Sequence, residues 1–282
     1  MDIRNIKDKL SIDSYNLNFL DTIFDIAKDQ LKAYKDSGIE QLPDYPMNIN
    51  IPRNQEIIKD FISRVIEELN EGFESTDTVY QLLNNDSIGW NMDRLDDEST
   101  QYIKDTLQNA CEEQADALGF LMTILLYLNI DSSDLLRWSG KYITKVCTNL
   151  NQVMAVGRDL LISKMDDSAI TTAPYNIVDY QTSSDSEYIP GFSRMNYGYH
   201  RTEKLAIFHI TYCLNMARND LKCRPWKKTQ VLTKENEVQN YIVEAFYLFM
   251  GFIKMYGFDC YSITNLYFKK YKLNLWRLKT NY

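Results

Sequence analysis

The chain has 282 residues, a formal net charge of −8 and 45% hydrophobic residues. This hydrophobic content is enough for the core of one large domain or two small ones. The negative charge disfavours a general nucleic-acid-binding protein, which needs a broad basic surface.

The sequence also indicates whether the chain carries targeting segments and whether its cysteines are reduced. The charged start MDIRNIKDKL is not followed by an apolar stretch, so we expect no signal peptide. The longest apolar runs, around 117–128 and 245–253, are too short to cross a bilayer, so we expect no membrane partner. Five scattered cysteines without a CxxC pair are typical of reduced thiols in a cytoplasmic protein. With only two histidines in the chain, we expect carboxylates to carry any chemistry.

Few glycines and prolines, together with long stretches of 3.6-residue hydrophobic periodicity, predict an all-α helical bundle. The predicted helices, in chain order, cover residues 15–36, 54–72, 99–129, 131–164, 201–222, 235–256 and 260–278. Asn54 and Gly72 are the predicted start and stop of the second helix. Asp131 or Ser132 is the predicted cap of the fourth. One short helical turn is expected near 78–84.

Residues 165–200 lose this periodicity and collect Ser, Thr, Asp, Pro, Gly and Tyr. We interpret them as a long connector that packs as an ordered loop or serves as a lid. It divides the chain into an N-terminal half, 1–164, and a C-terminal half, 201–282.

Two pairs of acidic residues have the spacing that places side chains on one helical face. Glu68 and Glu71 lie three residues apart in the second predicted helix, as do Glu113 and Asp116 in the third. If these helices are antiparallel neighbours, four carboxylates meet, and they need cations to do so. Hard oxygen ligands favour Mg²⁺, which in turn favours a triphosphate substrate. The alternative is a solvated acidic face, because charged helices produce such pairs by chance.

The C-terminal half repeats the N-terminal half. In each half an apolar helix is followed by a KxxxN motif, at Lys145 and Asn149 in the first and at Lys270 and Asn274 in the second. The second motif is extended by Arg277. We therefore interpret the chain as two tandem copies of one helical unit.

The order of these motifs resembles that of the all-α NTP pyrophosphatases, a family that includes dimeric dUTPases, MazG proteins and phage dCTP/dUTP pyrophosphatases. The family pattern is ExxE, then ExxD before an apolar run, then KxxxNxxR near a terminal Tyr, as in the tail KYKLNLWRLKTNY. The segment CLNMARNDLKCRPWKK resembles the stretch that leads from ExxE to a Trp/Lys-rich turn. The resemblance covers most of residues 54–282. It implies Mg²⁺-dependent hydrolysis of a nucleoside triphosphate, most readily dUTP or dCTP, to the monophosphate and pyrophosphate. It is compatible with a homodimer, and with the host cytoplasm if the protein is phage-encoded.

The two copies depart from the family pattern in different ways. The second has Tyr212, Asn215, Tyr241 and Glu244 at the acidic positions, so we expect no metal cluster there. The first keeps all four acids but has Gln152 where the pattern has Arg, and it lacks the Trp/Lys-rich turn. We therefore expect the second copy to be degenerate and each chain to have one site.

The resemblance implies specific roles for the residues that match. Glu68, Glu71, Glu113 and Asp116 would ligate Mg²⁺, with Glu71 and Glu113 as catalytic residues and Glu71 as the preferred general base. Lys145, Asn149, Lys270, Asn274 and Arg277 would bind the phosphates. The loop SIGWNMD around Trp90 and Asn91 is a candidate for base contacts.

Two alternatives from other functional classes stay open. The chain could be a non-hydrolytic nucleotide-binding or protein-interaction member of the same fold. It could also be a helical scaffold whose acids form only a solvated face.

Overall fold

The computed structural model describes residues 18–37, 42–84, 95–138, 148–163, 197–223 and 233–280. These ranges contain eight α-helices and no strands, so the all-α prediction is confirmed. The helices are α1 (Phe19–Ser37), α2 (Pro52–Leu83), α3 (Asp97–Tyr127), α4 (Ser132–Arg137), α5 (Thr148–Leu161), α6 (Tyr197–Asp220), α7 (Glu235–Met255) and α8 (Cys260–Thr280). Five of them, α1, α3, α6, α7 and α8, lie within a few residues of the predicted bounds. Residues 164–196, most of the predicted connector, lie outside the described part of the chain, and residues 197–200 form the first turn of α6.

Helix α2 is longer than the sequence predicted, and both predicted ends are wrong. It begins at Pro52, with Ile51 as the N-cap, because a proline at the first helical position loses no hydrogen bond. It then continues through Gly72 to Leu83, so the predicted short turn near 78–84 is its last part. A Cβ at Gly72 would lie 2.5 Å from Nε2 of Gln114 on α3. Gly72 thus marks a close approach of two helices, where the sequence indicated a helix end.

The connection between α3 and α4 follows from three local signals. Asn129 adopts a left-handed φ of 57°, and the next residue, Ile130, donates its N–H to the carbonyl of Leu125 at 3.0 Å. Asp131 then caps α4 by accepting the N–H of Asp134 at 2.8 Å, as predicted. Helix α4 ends at Arg137, because Trp138 is extended. The prediction of one continuous helix over 131–164 is therefore wrong.

The connection between α7 and α8 has the same construction. Gly257 takes the left-handed conformation, with φ 92°, and Phe258 donates its N–H to the carbonyl of Ile253 at 3.2 Å. Asp259 then accepts the N–H of Ser262 at 2.7 Å. Both long apolar helices thus end in a left-handed residue, an apolar residue and a capping aspartate.

The helices form two antiparallel pairs. The helix that follows each pair in sequence packs on the other pair. Helix α2 packs along α3, and α6 packs along α7. Helix α5 follows the first pair in sequence but packs on α7, whereas α8 follows the second pair and packs on α1 and α3. At the contact between α5 and α7 the backbones touch, since a Cβ on Gly251 would lie 1.9 Å from the carbonyl oxygen of Val153. Each pair is therefore completed by a helix from the other half.

The hydrophobic core is continuous between the two pairs. The apolar stretches of α3 and α7 are buried together in one cluster, which includes Leu121, Leu125, Phe246 and Phe249. Burial of apolar area on this scale is the main favourable contribution to folding. Among the described residues, no helix is both long and apolar enough to cross a membrane.

Candidate metal and phosphate site

Three carboxylates from α2 and α3 converge. Glu68, Glu113 and Asp116 each offer an oxygen, and these three oxygens all lie within 4.8 Å of one another. Ligand oxygens around one Mg²⁺ or Ca²⁺ ion lie at most about 4–5 Å apart, because metal–oxygen distances are roughly 2.0–2.6 Å. The donor set consists only of hard oxygens. It therefore fits a hard divalent cation such as Mg²⁺.

Glu71, the fourth predicted acid, lies at the edge of this group. Its side chain is exposed, and it does not belong to the three acids whose oxygens meet. Its negative charge nevertheless acts on Glu68 and Glu113 and raises the pKa of both. The structure thus brings three of the four predicted acids together and leaves Glu71 beside them.

The three carboxylates hold protons more strongly than free carboxylates do. Burial is the main cause that raises the pKa of Glu68 to about 8, and a hydrogen bond with Glu113 and the charge of Asp116 contribute to the same shift. Burial is also the main cause of the raised pKa of Glu113 and of Asp116. At neutral pH a proton on Glu68 therefore reduces the repulsion among the three carboxylates, as a bound cation would.

The tail helix α8 brings its basic motif to Asp116. Lys270 is only 6% exposed, and its Nζ lies 2.7 Å from Oδ2 of Asp116 and 3.6 Å from Oε2 of Glu112. Burial lowers the pKa of the Lys270 ammonium, but the hydrogen bond to Asp116 and the charges of Asp116, Glu112 and Glu113 together outweigh this effect, and the pKa lies above its ordinary value. Asn274 hydrogen-bonds to Asp116, and the positive charge of Arg277 also acts on that carboxylate. The predicted KxxxNxxR side chains therefore meet the predicted acids.

A cavity of about 260 Å³ opens beside this contact, between α1, α2, α3 and α8. Its polar lining includes Asp116, Lys270, Asn274 and Arg277. Five aromatic residues also line it: Tyr34, Phe61, Phe120, Tyr267 and Tyr271. Such a combination of apolar walls and a few polar groups is typical of small-molecule sites.

Arg64 also lines this cavity, although the sequence motifs did not include it. Its guanidinium lies 5.8 Å from the ring centroid of Phe61 and 5.7 Å from that of Phe120, within cation–π range. Its Nε donates to Asp60 at 3.0 Å. Arg64 precedes Glu68 by four residues, so their shared helical face was the signal that could have identified it.

Gln30 of α1 is a second residue of the cavity that the sequence motifs did not include. Its Oε1 accepts a hydrogen bond from the hydroxyl of Tyr267 at 2.8 Å, and its Nε2 donates to the hydroxyl of Tyr34 at 3.1 Å. These two bonds fix the amide at the cavity wall. No local motif around Gln30 indicates this, because its position depends on the docking of α1 against α8.

The first KxxxN motif is only partly covered by the described residues. Lys145 lies outside the described residues, and Asn149 is on α5, which packs mainly on α7. The loop around Trp90 and the Trp/Lys-rich turn at Trp226, Lys227 and Lys228 also lie outside the described residues.

The corresponding part of the second pair has a different character. Tyr212 is 50% exposed, and Glu244 is buried, with a hydrogen bond from the thiol of Cys213. Burial raises the pKa of Glu244 to about 7. Among the described residues, the only group of three or more potential ligands is the one formed by Glu68, Glu113 and Asp116.

Comparisons of the chain with known protein families, with curated proteins and with solved structures found no match. The functional interpretation therefore depends on the geometry of the site. Acidic side chains that fit a cation, basic side chains that fit an anion and an aromatic cavity lie in contact with one another.

Proposed function

We propose that the protein is a Mg²⁺-dependent nucleoside triphosphate pyrophosphatase that converts dUTP or dCTP to the monophosphate and pyrophosphate. The observation that supports this most is the direct contact of Lys270 with Asp116, at 2.7 Å, inside a group of three converging carboxylates. Carboxylates alone would suit a metal, and basic side chains alone would suit an anion. Their combination at the end of a cavity suits a polyphosphate that carries a metal ion.

The position of each side chain in the site indicates its role in this reaction. Glu68, Glu113 and Asp116 hold Mg²⁺, which when bound neutralises phosphate charge and activates a water molecule for attack on phosphorus. Arg277 binds phosphate oxygens, for which its planar guanidinium is suited, and Asn274 orients it through a contact of 3.4 Å. Glu71 lies near the metal ligands without being one of the converging three, so its carboxylate is available to accept a proton from the water.

The nucleoside part of the substrate occupies the aromatic cavity. A volume of about 260 Å³ is near the lower end of ligand pockets, which typically measure roughly 300–1,000 Å³. It suits a base and sugar better than an entire triphosphate, whose phosphates would extend toward Asp116. The fixed amide of Gln30 offers a donor and an acceptor to the edge of a base.

We interpret the two helix pairs as tandem copies of one unit. The matching connections after α3 and α7 support this, as does the reciprocal exchange of α5 and α8. In this interpretation one chain supplies the acids from the first copy and the basic helix from the second. A homodimer is then not required to build the site.

The test is pyrophosphate release from each common dNTP and NTP, with Mg²⁺ and with a chelator. We expect release that requires Mg²⁺ and falls by at least about 100-fold in Glu113→Gln, because one ligand of the metal loses its charge. Glu67→Gln is the matched control, since Glu67 is an exposed acid on α2 next to Glu68. Retained activity in Glu113→Gln would contradict the proposal.

Two other outcomes would point to the alternative functions. Mg²⁺-dependent nucleotide binding without pyrophosphate release would identify a non-hydrolytic nucleotide-binding protein. Absence of both binding and release would leave the acids as a structural feature of the helix pair.

A further inference from the structure

Lys270 is buried more deeply than a lysine that only contacts phosphates needs to be. Its side chain is 8% exposed, and its ammonium group contacts carboxylates from α3. A buried charge is tolerated only when it is paired and hydrogen-bonded. Asp116 at 2.7 Å and Glu112 at 3.6 Å supply this pairing within the protein itself.

Asp116 consequently belongs to two groups at once. It is one of the three acids whose oxygens converge, and it is also the closest partner of Lys270. In two-metal sites a carboxylate of this kind often uses both oxygens to bridge ions roughly 3.5–4 Å apart. Here Oδ2 of Asp116 is already engaged by the ammonium. A second metal ion bound at that oxygen would lie beside the ammonium charge and be repelled by it.

We propose that the ammonium of Lys270 takes the place of a second divalent cation, so that the chain binds a single metal ion between Glu68, Glu113 and Asp116. By sharing Asp116, Lys270 also limits the affinity for that ion. This inference depends on the proposed function, and it determines how many metal ions the protein itself holds before a nucleotide brings its own.

The test measures Mn²⁺ binding without nucleotide, by the electron paramagnetic resonance signal of the free ion. Three proteins are compared: the wild type, Lys270→Met, and Lys272→Met. Met keeps the length of the side chain and removes its charge. The Lys272 variant is the matched control, because it removes the same charge from the same helix while the Lys272 ammonium lies over the rings of Phe268 and Tyr271, at 5.0 and 5.3 Å from their centroids.

We expect one Mn²⁺ ion per wild-type chain and per Lys272→Met chain. Lys270→Met frees Oδ2 of Asp116, so it binds a second ion or binds its single ion at least about fivefold more tightly, the lower limit of typical coupling between sites. Two ions on the wild type, or equal binding by the two Met variants, would overturn the inference. If Lys270→Met does not fold by circular dichroism, the wild-type stoichiometry and that of Lys270→Arg, expected to be one each, decide the matter.

The result also separates this inference from the proposed function. Mg²⁺-dependent pyrophosphate release together with two bound Mn²⁺ ions would contradict only the inference about Lys270. A wild-type chain that binds no Mn²⁺ and releases no pyrophosphate would contradict both.

Discussion

The pKa of Glu68 is a measurable consequence of placing several carboxylates close together. Burial, the hydrogen bond with Glu113 and neighbouring charges raise its pKa from 4.5 to about 8. The folded protein therefore binds a proton that the unfolded chain releases at lower pH. Because the protonated form is favoured by folding, the contribution of Glu68 is fully present below about pH 4.5 and is lost as the pH rises through about 8.

We expect the free energy of unfolding, measured in chelator, to decrease between about pH 5 and pH 8. Glu68→Gln cannot ionise and should weaken this dependence, which makes it more stable than the wild type at pH 8 by about 1–2 kcal/mol, a value reduced for partial exposure. Urea unfolding at several pH values measures the effect. Glu67→Gln is the control, and equal pH dependence in all three proteins would contradict the prediction.

A second prediction for a single residue concerns the role of Arg277 in binding phosphate. Replacing Arg277 by Gln removes the guanidinium that we assign to phosphate oxygens, so kcat/KM should decrease by roughly 10- to 100-fold, as for the loss of a hydrogen bond to a charged group. The control is Lys279→Gln, which removes an exposed positive charge from the same last turn of α8. Steady-state pyrophosphate release provides the comparison. Equal losses in both variants would indicate a general charge effect with no specific contact.

Residue spacing predicted the site residues that lie on one face of a helix. It did not predict the residues whose position depends on how one helix packs against another. The i,i+3 spacing of Glu113 and Asp116 placed both on one side of a helix, and the structure brings both to Glu68. The same spacing made Glu71 appear equivalent to Glu68, although its side chain is exposed. Gln30 could not be predicted, because its role depends on where α1 packs.

At the scale of helices, a glycine can end a helix or allow two helices to approach closely, and sequence alone does not distinguish these roles. Gly72 appeared to be a stop, because glycine is common just after helix ends. Its actual role is to let α2 approach α3 closely. Similarly, the apolar periodicity of 131–164 gave no indication that Trp138 would be extended and end α4. Such features depend on the partner helix, which a single segment does not reveal.

Gly251 provides the corresponding test on α7. A Cβ there would lie 1.9 Å from the backbone oxygen of Val153, which cannot move without displacing α5. We expect Gly251→Ala to reduce the free energy of unfolding by about 3 kcal/mol or more, despite the better helix propensity of alanine. Chemical denaturation measures this, with Lys254→Ala as an exposed control on the same helix. Wild-type stability of Gly251→Ala would show that the two helices do not cross at this point.

At the scale of the whole molecule, the exchange of α5 and α8 joins the two helix pairs. The core of each pair includes a helix that belongs, in sequence, to the other half. We therefore expect one cooperative unfolding transition, with equal calorimetric and van't Hoff enthalpies, although the chain has two helix pairs. Differential scanning calorimetry would reveal two separate transitions if the halves unfolded independently.

The exchanged helices also determine when the site can first exist during protein synthesis. Domains generally fold as their residues leave the ribosome, starting with the N-terminal part. Here α1, α2 and α3 are made early, but α8 is made only after α6 and α7. Until then the surfaces of α1 and α3 that α8 covers stay open, and Asp116 lacks its ammonium partner. A nascent chain thus carries an uncovered apolar surface until α8 is made, and chaperones that bind such surfaces would have their opportunity on α1 and α3 before then.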